Sequence, residues 1–380
     1  MKEIENNRST SAVLDSTGPL ILTASVEKYS HPEKLSISSS HLFCGKEVNG
    51  IPVPDERRGD YGHLDVSVHH WAGSWFTLEK YPFKDKVESY VRSWIYNARK
   101  PRQFKPSIDH EKLQRPLPPS TEHQEISVLI PVRDAVPHLE KCIALLGQLD
   151  WPKKKLHITF CEGDSVDGTT AMLQKIVTEN QHGFGSMQVI HRPVGTKIGN
   201  QRWLPKLQMA RRGGLAMVRN YLIDCAILPS TDWALWIDVD VDGYTPDVLK
   251  KLLAQREKIV VPHCLRGDGS NLGFDLNSFA TIYDWRDTYY FKHIVGGLYQ
   301  PPQDSGRRLY MHDVRYLDRL HLNSVGGTML LVHATVHRAG IRFPHLPYKD
   351  LIETEGFGQL AFDSGITPVG LPNLLIYHPV

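Results

Sequence analysis

The chain has 380 residues, 41% of them hydrophobic and 23% charged, which is ordinary for a soluble globular protein large enough to bury a sizeable core. Lys and Arg number 44 against 42 Asp and Glu, and the formal charge of +2 excludes a general polyanion-binding role, so no nucleic-acid partner is expected. Five scattered cysteines (Cys44, Cys142, Cys161, Cys225 and Cys264) argue against a disulfide framework or a zinc site, and for a reducing compartment.

Residues 1–40 are polar and Ser/Thr-rich and are expected to be partly disordered. Their one apolar patch, Pro19–Val26, is too short to span a bilayer and lacks the basic flank of a signal peptide. No other window is long and uncharged enough to be a transmembrane segment, and the expected location is cytoplasmic. Residues 41–124 read as an N-terminal extension. Trp71, Trp75 and Phe76 need burial, Lys86–Ala98 has helical spacing, and the prolines of residues 99–124 read as a linker.

From residue 125 the texture becomes alternating strand and helix. Strands are expected at Ile126–Pro131, Leu156–Cys161, Met187–Ile190, Trp233–Ile237 and Ile259–Pro262. Helices are expected at Leu139–Leu149, from Asp167 as cap to Val177, at Leu215–Leu228 after a Gly213-Gly214 break, and at Thr245–Gln255. That succession predicts an α/β domain over residues 125–380, a doubly wound, mostly parallel, Rossmann-like sheet.

The chemistry gathers at strand ends. The fourth strand breaks into Asp238, Asp240 and Asp242. Carboxylates two apart at a sheet's carboxyl edge would repel an anionic substrate unless a divalent cation lay between them. Asp242-Gly243 reads instead as turn chemistry. The first strand delivers Arg133 and Asp134, the second Asp164. Arg133 can pair with a phosphate, and either aspartate can accept from a ribose or base edge. Arg219 can reach a diphosphate, although its helical position alone favours a solvated face. Gly326-Gly327 precede an apolar strand, as where backbone must pass close to a ligand. Glu353 and Glu355 precede a helical segment, and Gly370–His378 is a strand delivering His378. Together they supply a carboxylate and a nitrogen ligand. Neither a P-loop nor a GxGxxG fingerprint occurs. An acidic metal site of this kind also serves nucleotidyltransferases, and a non-catalytic subunit keeping the fold is a third reading.

These pieces, in this order, resemble the fungal mannan-polymerase-type α-mannosyltransferases, a family of GT-A fold. The matching stretches are Pro131–Pro137, Gly163–Ser165, Ala216–Leu222, Leu235–Asp240, Phe274–Ser278, Val325–Gly327, Ile352–Phe357, Val369–Pro372 and Tyr377-His378, within about residues 125–379. The resemblance implies GDP-mannose as donor, a hydroxyl acceptor, Mn²⁺ or Mg²⁺ as cofactor, and retention of anomeric configuration. It implies Asp240 and His378 as metal ligands beside Asp238. It also implies Pro131, Arg133, Asp134, Asp164 and Arg219 as contacts of the nucleotide sugar, and Glu353 and Glu355 as carboxylates near the reaction centre. Two features depart from the family. Asn323-Ser324 stands where an acidic residue and a glycine are usual, implying altered substrate handling. Family members are membrane-anchored in the Golgi, and no anchor is found here.

Overall fold

The computed structural model describes residues 83–119, 123–180, 182–195, 204–282 and 286–379. The expected disorder of residues 1–40 and burial of Trp71, Trp75 and Phe76 lie outside them. Among the described residues no helix is long and apolar enough to cross a membrane.

The first helix, α1 (Phe83–Arg99), matches the helical spacing. The proline-rich stretch after it is not a free linker. It forms α2 (His110–Gln114), capped by Asp109, whose carboxylate accepts from the Lys112 amide at 2.9 Å. Leu113 is fully buried, and the Phe104 and Asp109 amides donate to the carbonyls of Pro347 and Ala339. Prolines here stop regular structure without preventing packing.

A βαβ succession follows: β1 (Ile126–Val132), α3 (Val136–Gln148), β2 (Leu156–Glu162), α4 (Thr169–Asn180) and β3 (Ser186–His191). Next come α5 (Gln208–Ala226), β4 (Trp233–Ile237), β5 (Gly243–Tyr244), α6 (Val248–Leu253) and β6 (Ile259–Arg266). Helix α5 starts earlier than its apolar pattern indicates and runs through Gly213-Gly214 without a break. A Cβ on Gly213 would stand 2.9 Å from the His345 carbonyl oxygen, so the glycine admits a neighbouring loop. Short elements then intervene: β7 (Phe279–Thr281), α7 (Thr288–Lys292), β8 (Ile294–Val295), β9 (Leu298–Tyr299), β10 (Arg308–Tyr310) and β11 (Leu320–His321). The chain ends with β12 (Met329–His333), α8 (Ala334–Arg338), α9 (Glu353–Asp363) and β13 (Val369–His378).

The main sheet has the order β3-β2-β1-β4-β12-β6-β13-β11, with β5 beside β13. β1 to β4 are parallel, β13 is parallel to β6, and β12 runs antiparallel between β4 and β6. The expected mostly parallel, doubly wound sheet is present. Side-chain alternation builds a layer on each face. Val128, Ile130 and Leu235 pack with Leu139, Leu173 and Leu249 from α3, α4 and α6. Leu129, Ala234 and Trp236 pack with Leu222, Val336 and Phe357 from α5, α8 and α9. Each fully buried aliphatic side chain contributes roughly 1.5–3 kcal/mol. The antiparallel strand has one consequence for the site. It brings the start of β12, at Gly327-Thr328, to the same edge as the end of β4, and the Asp238 amide donates to the Thr328 carbonyl at 3.0 Å.

Candidate functional site

A cavity of about 1040 Å³ opens at that edge. Its lining includes Pro131, Arg133, Asp134, Arg219, Asp238, Asp240, Gly327, Glu353, Glu355 and His378 from the sequence-level set. Asp164, Asp242 and Gly326 are not among the lining residues.

Asp240 and His378 arrive from different strands and meet, with His378 Nε2 3.1 Å from Asp240 Oδ2. The imidazole lies flat on Phe274, with ring centroids 3.6 Å apart and planes at 10°, which fixes its direction. Burial acts to raise the Asp240 carboxyl, but the hydrogen bond and charge of His378 outweigh it and hold the group below the usual carboxylate range. Burial likewise acts to lower His378, and Asp240 reverses it, leaving the imidazole above its ordinary value.

Asp238 sits on the cavity floor, where burial, opposed by Arg219 and reinforced by Asp240, Asp275 and Glu353, pushes its carboxyl up to about 7. Carboxylates crowded in this way are stabilised in ionised form by a cation. Carboxylates with one imidazole are a donor set that a divalent ion accepts. In this structure Asp240 and His378 are hydrogen-bonded to each other, and an ion between them would replace the proton they share. Among the described residues no three His, Cys, Asp or Glu side chains form a metal-holding group. An ion there would complete its shell with water and substrate oxygens, as Mg²⁺ commonly does.

Arg219 is not on a solvated helix face, the reading its position favoured. It is buried beneath the cavity floor, donating from Nε to Glu353 at 2.7 Å and from Nη2 to Asp238 at 3.2 Å, with its guanidinium 5.4 Å from the Trp236 ring. Its Nη1 is buried with no hydrogen-bond partner among the described residues. The network continues from Glu353 to Arg212 at 3.6 Å, from Arg212 to Glu355 at 2.9 Å and from Glu355 to Arg308 at 3.3 Å. Burial acts to raise the Glu353 carboxyl, and Arg219 and Arg212 overcome it, so the group stays ionised. Glu353 also opens α9 in left-handed backbone, φ 55°, a strain of order 1–3 kcal/mol that its two arginine contacts hold in place.

The glycine pair is dictated by these groups. A Cβ on Gly326 would lie 1.8 Å from the Asp275 carboxylate, and one on Gly327 would lie 2.4 Å from Arg219 Nη2. The pair therefore makes room for two charged side chains of the protein itself.

The first-half aspartates are anchored differently. Asp134, in left-handed backbone at φ 47°, accepts from the Val166 amide at 2.8 Å while lining the cavity rim. Asp164 Oδ2 accepts from the amides of Val194 and Gly195 at 2.9 Å each, so it clasps a loop and lies outside the lining. Asp167 is not the cap expected of it: Gly168 accepts the first helical bond, from the Met172 amide, and Asp167 one residue before it accepts from the Thr169 amide at 3.0 Å. Asp242 is not the turn residue: the turn closes one step earlier, from the Val241 amide to the Asp238 carbonyl, and Asp242 pairs with Lys141. Asn323, at the departure from the family pattern, is buried and accepts from the Thr281 amide at 2.7 Å, which ties β7 to its loop.

Sequence reasoning passed over several cavity residues. Asp275 accepts from the Thr328 hydroxyl at 3.1 Å, and Arg308 lies 4.0 Å from the Phe279 ring centroid. Both stand outside any periodic element of useful length, although Asp275 falls within the quoted stretch Phe274–Ser278. The four described cysteines, Cys142, Cys161, Cys225 and Cys264, are free.

An acidic strand end, a facing histidine, a buried arginine and a glycine pair thus meet at the carboxyl edge of a doubly wound α/β sheet. The Anp1 family model matches residues 106–347, more than half of the chain, and the chain belongs to that family. It is similar to the mannan polymerase complex subunit mnn9 of Schizosaccharomyces pombe, 26% identical over 71% of this chain and 84% of that protein. It is also similar to the mannan polymerase complex subunit MNN9 of Candida albicans, 24% identical over 79% and 88%. With the mannan polymerase II complex ANP1 subunit of Saccharomyces cerevisiae it shares 27% identity, over 66% of this chain and only 54% of the relative. Among solved structures it is similar to a mannosyltransferase from Pyrobaculum calidifontis in complex with GDP-Man and Mn²⁺, at 12% identity and a TM-score of 0.41, over 78% of this chain and 65% of that one.

Proposed function

We propose that the protein is a metal-dependent, retaining glycosyltransferase that moves mannose from GDP-mannose to a hydroxyl of a glycan or small-molecule acceptor. The observation that carries this reading is the convergence of Asp240, His378, Asp238 and the buried Arg219 on one cavity floor. That the relatives are mannan polymerase subunits supports mannose as the sugar.

In this reading Asp240 and His378 hold Mn²⁺ or Mg²⁺, with Asp238 beside them toward the nucleotide sugar. The ion, when bound, acts as a Lewis acid that neutralises charge developing on the leaving diphosphate. Arg219 reinforces that field from below, its unpartnered Nη1 being a cationic donor in a low-dielectric setting. Pro131, Arg133 and Asp134 line the part of the cleft assigned to the nucleotide, Gly327 leaves room for the Arg219 guanidinium at the floor, and Gly326 leaves room for Asp275. Asp164 contributes indirectly, through the loop at Val194 and Gly195. Glu353 and Glu355 are the candidate carboxylates for an electron-poor sugar carbon. Their ion pairs with Arg219, Arg212 and Arg308 make orientation of those arginines their first task.

Because the relatives are named as subunits, we also propose that the chain works within a complex, and the non-catalytic subunit remains the second reading. The test is product analysis with GDP-mannose and Mn²⁺. Release of GDP with a mannose-sized mass added to an acceptor, abolished by Asp240→Ala, is expected. Diphosphate release from a nucleoside triphosphate would point to nucleotidyl transfer, and no turnover with any nucleotide sugar to the non-catalytic subunit.

A further inference from the structure

Helix α1 is amphipathic the wrong way round for a helix that merely packs on a domain. Its polar side faces the protein. Tyr96 packs on Phe291 of α7 with ring centroids 5.6 Å apart and hydrogen-bonds Asp350, while Glu88 pairs with Arg92 and with Lys292 of α7. Its apolar side faces outward. Val87, Tyr90, Val91, Trp94 and Ile95, spaced i, i+3, i+4, i+7 and i+8, form one stripe with exposures from 41% to 76%. Directly after it stand Arg99, Lys100, Arg102 and Lys105, all exposed and without an ion pair among the described residues. Over residues 83–105, seven Lys and Arg stand against two acids, Asp85 and Glu88.

We propose that α1 is a membrane-surface helix that docks this domain on an anionic lipid bilayer. An apolar stripe carrying Trp and Tyr, followed by a run of unpaired cations, is the composition that seats a helix in the headgroup region. Charge and aromatic content select the occupant. The one acid of the helix whose placement is described, Glu88, is engaged with cations, so nothing in the described stripe repels a negative surface. A bilayer needs no complementary surface, and insertion of five side chains with four nearby cations suffices.

The test is co-sedimentation of the full chain with vesicles of phosphatidylcholine containing about one-third phosphatidylserine. Capture is expected, weakened by salt, and reduced about tenfold or more by Tyr90→Glu with Trp94→Glu. Both side chains are mostly exposed, so the double variant is expected to melt at the wild-type temperature. Absence of capture, equal capture by pure phosphatidylcholine, or undiminished capture of the double variant would overturn the proposal. So would a concentration-dependent dimer that the double variant dissociates in the absence of vesicle binding, because the stripe would then be a subunit contact.

Discussion

The two halves of the cleft satisfy their carboxylates by opposite means. In the β1–β3 half, Asp134, Asp164 and Asp167 accept from backbone amides of neighbouring loops, at or near the surface. In the half built by β4, β12, β13 and α9, Asp238, Glu353 and Glu355 are held by guanidinium groups, and Asp240 by an imidazole. Amide anchoring shapes loops and leaves the carboxylate charge near the surface, where water screens it. Guanidinium anchoring keeps full charges inside the protein, where removing one partner strands the other. The first half is therefore expected to tolerate substitution and the second is not.

The sharpest way to break this contrast is Arg219→Ala. It leaves Glu353 ionised and buried with one arginine fewer, and about 3–5 kcal/mol of stability is expected to be lost in urea unfolding. A loss below about 1 kcal/mol would mean that the network relaxes as easily as a surface pair.

Acid probes the second half by another route. His337, fully buried behind Trp236, has its Nε2 3.2 Å from the indole N–H, which can only donate, and its Nδ1 3.1 Å from the Ile341 carbonyl. Both ring nitrogens are satisfied only in the neutral form, and burial pushes the group down to about 4. The unfolded chain binds the proton first, so stability is lost as pH falls from about 6.5 toward 4 and the loss levels off below that. Up to about 3 kcal/mol is expected from this histidine. His263 and His333, which burial also pushes to about 4, add to the same trend. A stability curve flat between those pH values would contradict the assignment.

The smallest effect is expected in the first half. Asp164→Ala removes two amide contacts of a half-buried side chain, costing about 1–2 kcal/mol, and frees the loop at Val194 and Gly195, visible as faster amide exchange there. Slow exchange retained at both amides would show that the loop is held by something else.

This contrast also marks what could be read from the sequence. The succession of the first strands and helices and the acidic end of β4 were legible because a buried apolar run ending in charges has few other interpretations. His378 was legible as the end of a strand. The loop aspartates were legible as types and not as roles, since one carboxylate can serve an amide or a ribose equally well. Arg219 was ambiguous because helical position does not reveal that Glu353, 134 residues away, lies against it. Gly213-Gly214 looked like a break because a glycine pair marks an end as readily as a close approach. Arg308 left no signal, since β10 has only three residues.

The measurement that bears most directly on the account is the melting temperature with GDP-mannose and Mn²⁺ supplied separately and together. The account predicts that the nucleotide sugar stabilises the protein only in the presence of the ion, and that Asp240→Ala and His378→Ala each remove the metal-dependent part. An equal shift without metal, or one that survives both substitutions, would contradict it.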